Sequence, residues 1–236
     1  MSVHASSSGR DGWPEDSFVA LLPEAERDAL LSAGAPVRFA DDEILVVQGE
    51  IGDFLYVLTE GLVKVMVAAE TGVETALAVR ARGDLVGEFG MLDSMPRTAT
   101  ARAVGLVTAV KVGRAAYDVL AGQYPTVLPA ITRYVLGKIR ASTERRAAER
   151  FWDARTLLAQ VICELAEAHG ERDPEGTVRL PFTQSEVGQF AGVAVSTAER
   201  VLAEFRRRGA IATTYGAIVV RDLLFLKEVR FSEKDR

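Results

Sequence analysis

Gly87-Glu88-Phe89-Gly90-Met91-Leu92, followed at short distance by Pro96-Arg97-Thr98-Ala99-Thr100-Ala101, sets a glycine and a carboxylate a few residues before an arginine and a hydroxyl. The surrounding chain reads as strands and tight turns. A small anionic ligand carrying a sugar needs that combination. The guanidinium can fork onto a phosphate, nearby backbone N–H groups can complete a cradle, and the carboxylate can accept from sugar hydroxyls. The plainer reading of the same residues is a strand, a surface turn and another strand, with Arg97 in solvent.

Working outward, Pro23 to Gly34 reads as a short helix, with proline at its first turn and glycine at its end. Strand signals recur from Val37 to Val112. They are separated by turn residues at Asp41-Asp42, Gly49, Gly52-Asp53, Gly61, Glu70-Thr71-Gly72, Arg82-Gly83-Asp84 and Gly105. Many short strands at this spacing predict an antiparallel barrel or sandwich. After Pro125 the pattern becomes helical to about Phe151, and Leu128, Ile131, Val135 and Ile139 mark a stripe near the 3.5-residue period of a helix–helix seam. One step further the stripe reaches Ser142 and Thr143. Asp153 caps the next predicted helix, Ala154 to Ala168, and the strand Thr177-Val178-Arg179-Leu180 follows.

The last quarter carries a second signature. Thr183-Gln184-Ser185-Glu186 is a capping box at a helix start. Val187 and Phe190-Ala191 give that helix an apolar face, and Gly192 ends it. A second helix is predicted from about Ser196 to Arg208, with Val201, Leu202 and Phe205 inward and Glu199, Arg200 and Glu204 outward. Two short helices joined by a glycine-containing turn form a helix-turn-helix. Ile211 to Val220 reads as two short strands around a turn, suited to a wing.

In this order the two halves resemble the CRP/FNR family of bacterial transcription regulators over roughly residues 16 to 226. The resemblance implies an α+β fold: a disordered tail at 1–15, a cyclic-nucleotide-binding β-roll at 16–125, a dimerisation helix at 126–152 and a winged helix-turn-helix at 153–236. It places Gly87, Glu88, Arg97 and Thr98 at the family's phosphate and ribose contacts. Ser142 and Thr143 fall on the positions whose hydroxyls contact the adenine of cAMP, one from each subunit. The implied effector is therefore cAMP; a ligand-independent regulator, or one answering to another nucleotide such as cyclic di-GMP, is the alternative. Implied partners are a pseudo-palindromic double-stranded operator, a second copy of the chain and RNA polymerase.

On the DNA side the resemblance implies contacts from Gln184, Val195, Ser196, Thr197, Arg200 and the wing residue Thr214. Where many relatives carry an Arg-Glu pair, this chain has Val195 and Ser196. Arg200 alone keeps the chemistry to fork onto guanine. Ala194 stands at the expected cap and is a poor one, whereas Ser196 with Glu199 makes its own capping box, so the helix is expected to begin late.

Composition narrows the alternatives. The net charge is −5, but from Pro181 onward 9 basic residues face 7 acidic ones, against 19 and 26 before it. A mildly basic module on an acidic body suits a DNA reader whose charge is local. Cys163 is the only cysteine. It provides neither a disulfide framework within the chain nor the about four thiolates of an iron–sulfur cluster, and its helical companions Leu157, Val161 and Leu165 assign it to packing. His4 and His169 are the only histidines, and neither falls where a haem ligand or a catalytic base is expected, so no metal site and no enzyme is foreseen. No stretch approaches the roughly 20 apolar residues of a membrane span. Met1 to Gly12 lacks the apolar core of a signal peptide, and a cytoplasmic protein is expected.

Overall fold

The structure is a computed structural model that describes residues 12–69 and 74–231. The expectations at His4, along the tail at 1–11 and at the turn Glu70-Thr71-Gly72 lie outside the described residues. The chain divides into two compact units between Ile139 and Arg140.

The first unit is built on a single antiparallel sheet. Its strands are β1 (Ala35–Phe39), β2 (Ile44–Val46), β3 (Phe54–Ala68), β4 (Glu74–Arg80), β5 (Leu85–Val86) and β6 (Thr100–Gly113). They run in the order β1-β6-β3-β4, with β2 on β6 and β5 on β3. Successive strand side chains point to opposite faces, and here both faces are buried. Leu55 and Val57 of β3 join Leu85, Val110 and Val112 in one cluster, while the alternate residues Tyr56, Leu58 and Val63 join Ala101, Val107 and Ala109 in another. That double burial explains why Leu55-Tyr56-Val57-Leu58 is a continuous apolar run rather than an alternating one.

The first cluster is closed by helices. Helix α1 (Glu24–Ser32) contributes Leu30, α3 (Arg114–Gln123) contributes Tyr117 and Leu120, and α4 (Val127–Phe151) contributes Val127, Ala130, Ile131 and Tyr134. Three features depart from the sequence reading. Helix α3 precedes Pro125, in a stretch not assigned to a helix; its signal was the spacing of Tyr117, Leu120, Ala121 and Tyr124. Glu88–Asp93 is itself a short helix, α2, entered from Gly87. Ile131, expected in the outward seam, is 1% exposed, whereas Leu128 and Ile139 are 57% and 51% exposed. The apolar clusters of the roll capture the face carrying Ile131, so the outward stripe is Leu128, Leu136 and Ile139 with the half-buried Val135. Near the chain start, Trp13 packs on the first cluster beneath Arg82, whose guanidinium carbon lies 4.2 Å from its ring centroid. Residues 12–15 are thus part of the folded unit.

The second unit comprises the rest of α4, α5 (Ala154–His169), β7 (Glu171–Arg172), β8 (Val178–Leu180), α6 (Gln184–Phe190), α7 (Val195–Arg207), β9 (Ile211–Thr214), β10 (Ala217–Val220) and α8 (Leu223–Phe231). Its strands pair antiparallel in the order β7-β8-β10-β9. Asp153 caps α5 by accepting from the Thr156 N–H at 2.7 Å. Cys163 is fully buried in α5, and burial pushes its thiol pKa up to about 12, which leaves it inert. Helix α8 was not foreseen.

Tyr134 pins α4 to the roll. Its hydroxyl donates to Asp84 Oδ1 at 2.8 Å and accepts from the Leu85 N–H at 3.0 Å. Burial raises its pKa well above the ordinary phenol value, so it stays a donor. Tyr134→Phe removes both bonds from a buried site and is expected to lower unfolding free energy by about 1–3 kcal/mol, read by urea denaturation.

Candidate ligand pocket and nucleic-acid interface

The pocket of the first unit brings together Gly87, Glu88, Arg97 and Thr98, as the sequence implied, and adds Arg80 and Lys138 to them. Val46, Val65, Leu85 and Ala101 supply apolar wall. Backbone pairing fixes where Arg97 stands. The Arg97 N–H donates to Glu50 O at 2.8 Å and its carbonyl accepts from the Gly49 N–H at 2.9 Å.

The Arg97 side chain is only 4% exposed. Its guanidinium donates from Nη1 to the Gly87 carbonyl and from Nη2 to the Phe54 carbonyl at 2.7 Å. It lies 4.8 Å from the Phe54 ring centroid, a distance at which the ring quadrupole attracts a cation. No described carboxylate forms an ion pair with it. Burial lowers its pKa, opposed by Glu88, Tyr56, Asp53 and Glu50, yet a guanidinium remains protonated. The result is a buried positive charge whose partners are neutral carbonyls and an aromatic face, which is what an incoming phosphate requires.

Two glycines make the slot. Gly87 has φ +85°, a left-handed conformation that disfavours a side chain, and a Cβ there would lie 2.7 Å from Arg97 Nη1. Gly52 is needed for space alone, because a Cβ there would overlap Nη2, Cζ and Nε of Arg97. Neither Gly52 nor Phe54 was singled out for the ligand site from the sequence.

Glu88 is 3% exposed and is already engaged: Lys138 Nζ on α4 donates to its Oε1 at 2.6 Å and lies 3.4 Å from the Leu85 carbonyl. Burial lowers the Lys138 pKa and Glu88 opposes the shift. A carboxylate has about four acceptor sites, so Glu88 can still take sugar hydroxyls. Lys138 was missed in the sequence, though its spacing after Val127, Ile131 and Tyr134 puts it on the inward face. Thr98 is exposed at the pocket edge. Ser142 and Thr143 are exposed on α4, beyond the division at Ile139, and belong to the second unit.

In the second unit the capping box forms. The Thr183 hydroxyl accepts from the Glu186 N–H and the Glu186 carboxylate accepts from the Thr183 N–H. Helix α7 begins at Val195 rather than late. The Ala194 carbonyl accepts from the N–H groups of Thr197 and Ala198 at 2.9 Å each, so Ser196 lies inside the first turn and cannot cap. A Cβ at Gly188 would meet that of Ala198 at 2.8 Å, so α6 and α7 cross tightly. Val195, Ser196, Glu199 and Arg200 are exposed on α7, Thr197 and Gln184 are half-buried, and Thr214 is exposed where β9 turns into β10. Arg200 forms no ion pair among the described residues, and Glu204 is taken by Arg155 at 3.2 Å. Exposed Arg206, Arg207 and Arg208 at the end of α7, and the wholly exposed Tyr215 in the β9–β10 turn, were not foreseen as contact residues.

A two-stranded wing beside a helix-turn-helix, in a chain that also carries a cation-lined pocket on a β-roll, is the architecture of a DNA-binding regulator. The cyclic nucleotide-binding domain model matches residues 36–124 and the Crp-like helix-turn-helix domain model matches residues 157–229. The chain is 29% identical over 196 residues to the CRP-like cAMP-activated global transcriptional regulator of Mycobacterium tuberculosis, covering 82% of this chain and 87% of that one. A CRP/FNR-family transcriptional regulator from Thermus thermophilus superimposes with TM-score 0.71 at 25% identity, covering 83% and 97%. The c-di-GMP-responsive regulator CLP of Xanthomonas campestris shares the fold, with TM-score 0.72 at 18% identity, covering 84% and 99%. The chain belongs to the CRP/FNR family of regulators and is a DNA-binding transcription regulator with a cyclic nucleotide-binding domain. No helix among the described residues is long and apolar enough to cross a membrane.

Gly52→Ala is expected to displace Arg97 and weaken cyclic-nucleotide binding about tenfold, since a charge-assisted fork contributes about 1.5–3 kcal/mol. In a double-mutant cycle, Gly52→Ala on an Arg97→Ala background should cost nothing further.

Proposed function

We propose that the chain works as a homodimer whose operator affinity is set by a cyclic nucleotide, with cAMP as the candidate effector. The observation that carries this reading is Arg97, buried beside Glu88 and held by carbonyls instead of a carboxylate, so that a phosphate is the natural neutralising partner. The exposed stripe of Leu128, Leu136 and Ile139 supports dimerisation, because apolar side chains aligned on one helix face are covered by a second copy. Ser142 and Thr143 follow on the same helix and would read the base from across that seam.

The mechanism is a population shift. A ligand bound at Arg97 and Glu88 of one subunit, and at the seam hydroxyls, binds one arrangement of the long helices better than the other. That arrangement sets two α7 helices one DNA turn apart, in successive major grooves. Arg200 reads a guanine, Val195 and Ser196 replace stronger readers, and Gln184, Thr197 and Thr214 hold phosphates. RNA polymerase is the partner that a cytoplasmic regulator of this kind would address, and the chain itself performs no catalysis.

Calorimetry with cAMP, cGMP and cyclic di-GMP tests the effector: no heat with any of them removes the reading. Replacing Ser142 and Thr143 together with alanine should reduce adenine-over-guanine discrimination more than it reduces overall affinity. Arg200→Ala should cost about 1–3 kcal/mol on the best operator and relax selection at one guanine per half-site, measured by binding to selected duplexes. Recovery of an unmodified TGTGA–TCACA palindrome from random duplexes would contradict the assignment of Val195 and Ser196.

A further inference from the structure

Beside Arg97 and Lys138 the pocket holds a third cation, which the proposed phosphate and ribose contacts leave unused. Arg80 ends β4, is half-buried and lines the same pocket as Arg97 and Lys138. Its recorded hydrogen bond goes no further than the carbonyl of its neighbour Val79, at 3.0 Å. Among the described residues no carboxylate pairs with it, whereas Lys138 is committed to Glu88 at 2.6 Å. Strand pairing sets Arg80 against Val63 and Ala78 against Val65, so Arg80 and Val65 lie on one face of the two-stranded ladder.

Arg80 and Arg97 enter the pocket from different elements: Arg80 from β4, opposite Val63 of β3, and Arg97 from the segment before β6, where the Gly87 and Phe54 carbonyls hold its guanidinium. Glu88, held by Lys138 at 2.6 Å, lines the same pocket. A nucleotide with its phosphate at Arg97 and its sugar at Glu88 has its base left to reach Arg80, along the apolar wall of Val65 and Leu85.

We propose that Arg80 is a specificity-determining residue that takes a pair of hydrogen-bond acceptors on the far end of the ligand and thereby favours guanine over adenine. Two parallel N–H groups match guanine O6 and N7, whereas adenine offers N7 beside an amino donor that faces the guanidinium with the wrong polarity. A second phosphate, as in a cyclic dinucleotide, offers the same acceptor pair. The inference rests on the cyclic-nucleotide reading of the pocket and adds a second base reader to Ser142 and Thr143. The measured preference is then the balance between the two.

The test is titration of the full chain and its Arg80→Leu, Arg80→Lys and Arg97→Ala variants with cAMP, cGMP and cyclic di-GMP. Arg80→Leu should weaken cGMP about tenfold to a hundredfold and leave cAMP within about threefold. Arg80→Lys, which keeps the charge and loses the fork, should forfeit most of the same preference. Loss confined to cyclic di-GMP would move the acceptor pair to a second phosphate and overturn the base assignment. An unchanged cAMP-to-cGMP ratio in Arg80→Leu, or a wild type that binds neither guanine nucleotide, overturns the inference. If Arg97→Ala leaves all three ligands unaffected, the pocket reading itself has failed.

Discussion

Burying a guanidinium without a carboxylate is the constraint around which the first unit is arranged. Removing an ion from water costs several kcal/mol after relaxation, and two carbonyl bonds with one aromatic face offset only part of that. The surroundings must therefore over-determine the position of Arg97. Gly49 and Glu50 lock its backbone, Gly52 and Gly87 yield their side-chain space, and Phe54 offers both a carbonyl and a ring. A carboxylate in the same place would stabilise the fold and remove the affinity for an anion. On the proposed reading, the missing negative charge is what would let the pocket take an anion.

The same pocket is joined to the long helix by charge and by hydrogen bonding. Lys138 reaches Glu88 and Tyr134 reaches Asp84 and Leu85, so α4 is fastened to the segment that presents the pocket carboxylate. Glu88 is the shared acceptor. A sugar hydroxyl arriving there changes what Lys138 feels, and Lys138 sits on the helix whose opposite face carries Leu128, Leu136 and Ile139. On the proposed reading, ligand chemistry and helix arrangement would meet at that one carboxylate within the first unit.

On the DNA side, Ala194 has no side chain that could occupy the first N–H groups of α7. Those groups remain directed outward at the helix start, beside exposed Val195 and Ser196, where a backbone phosphate is a natural acceptor. On the proposed reading base contact would fall to Arg200, whose neighbour Glu204 is drawn away by Arg155.

Features that depend on local chemistry are legible in the chain alone. The Thr183–Glu186 capping box, the Asp153 cap, the wing turn and the meeting of Glu88 and Arg97 in one pocket are carried by residue types at fixed short spacings, and each is present where the chain announces it. What only the tertiary structure decided depends on partners far along the chain. Ile131 left the seam because clusters built from strands up to 76 residues earlier captured it, from Leu55 onward. Lys138 became a pocket residue because α4 returns to β5, and Arg80 because β4 pairs with β3 beside Val65. Gly52 took on its meaning only when Arg97, 45 positions away in sequence, was laid against it. A periodicity states which residues share a face, but not which of two apolar surfaces that face will meet, because burial is decided by the surface on offer rather than by the strip that seeks it.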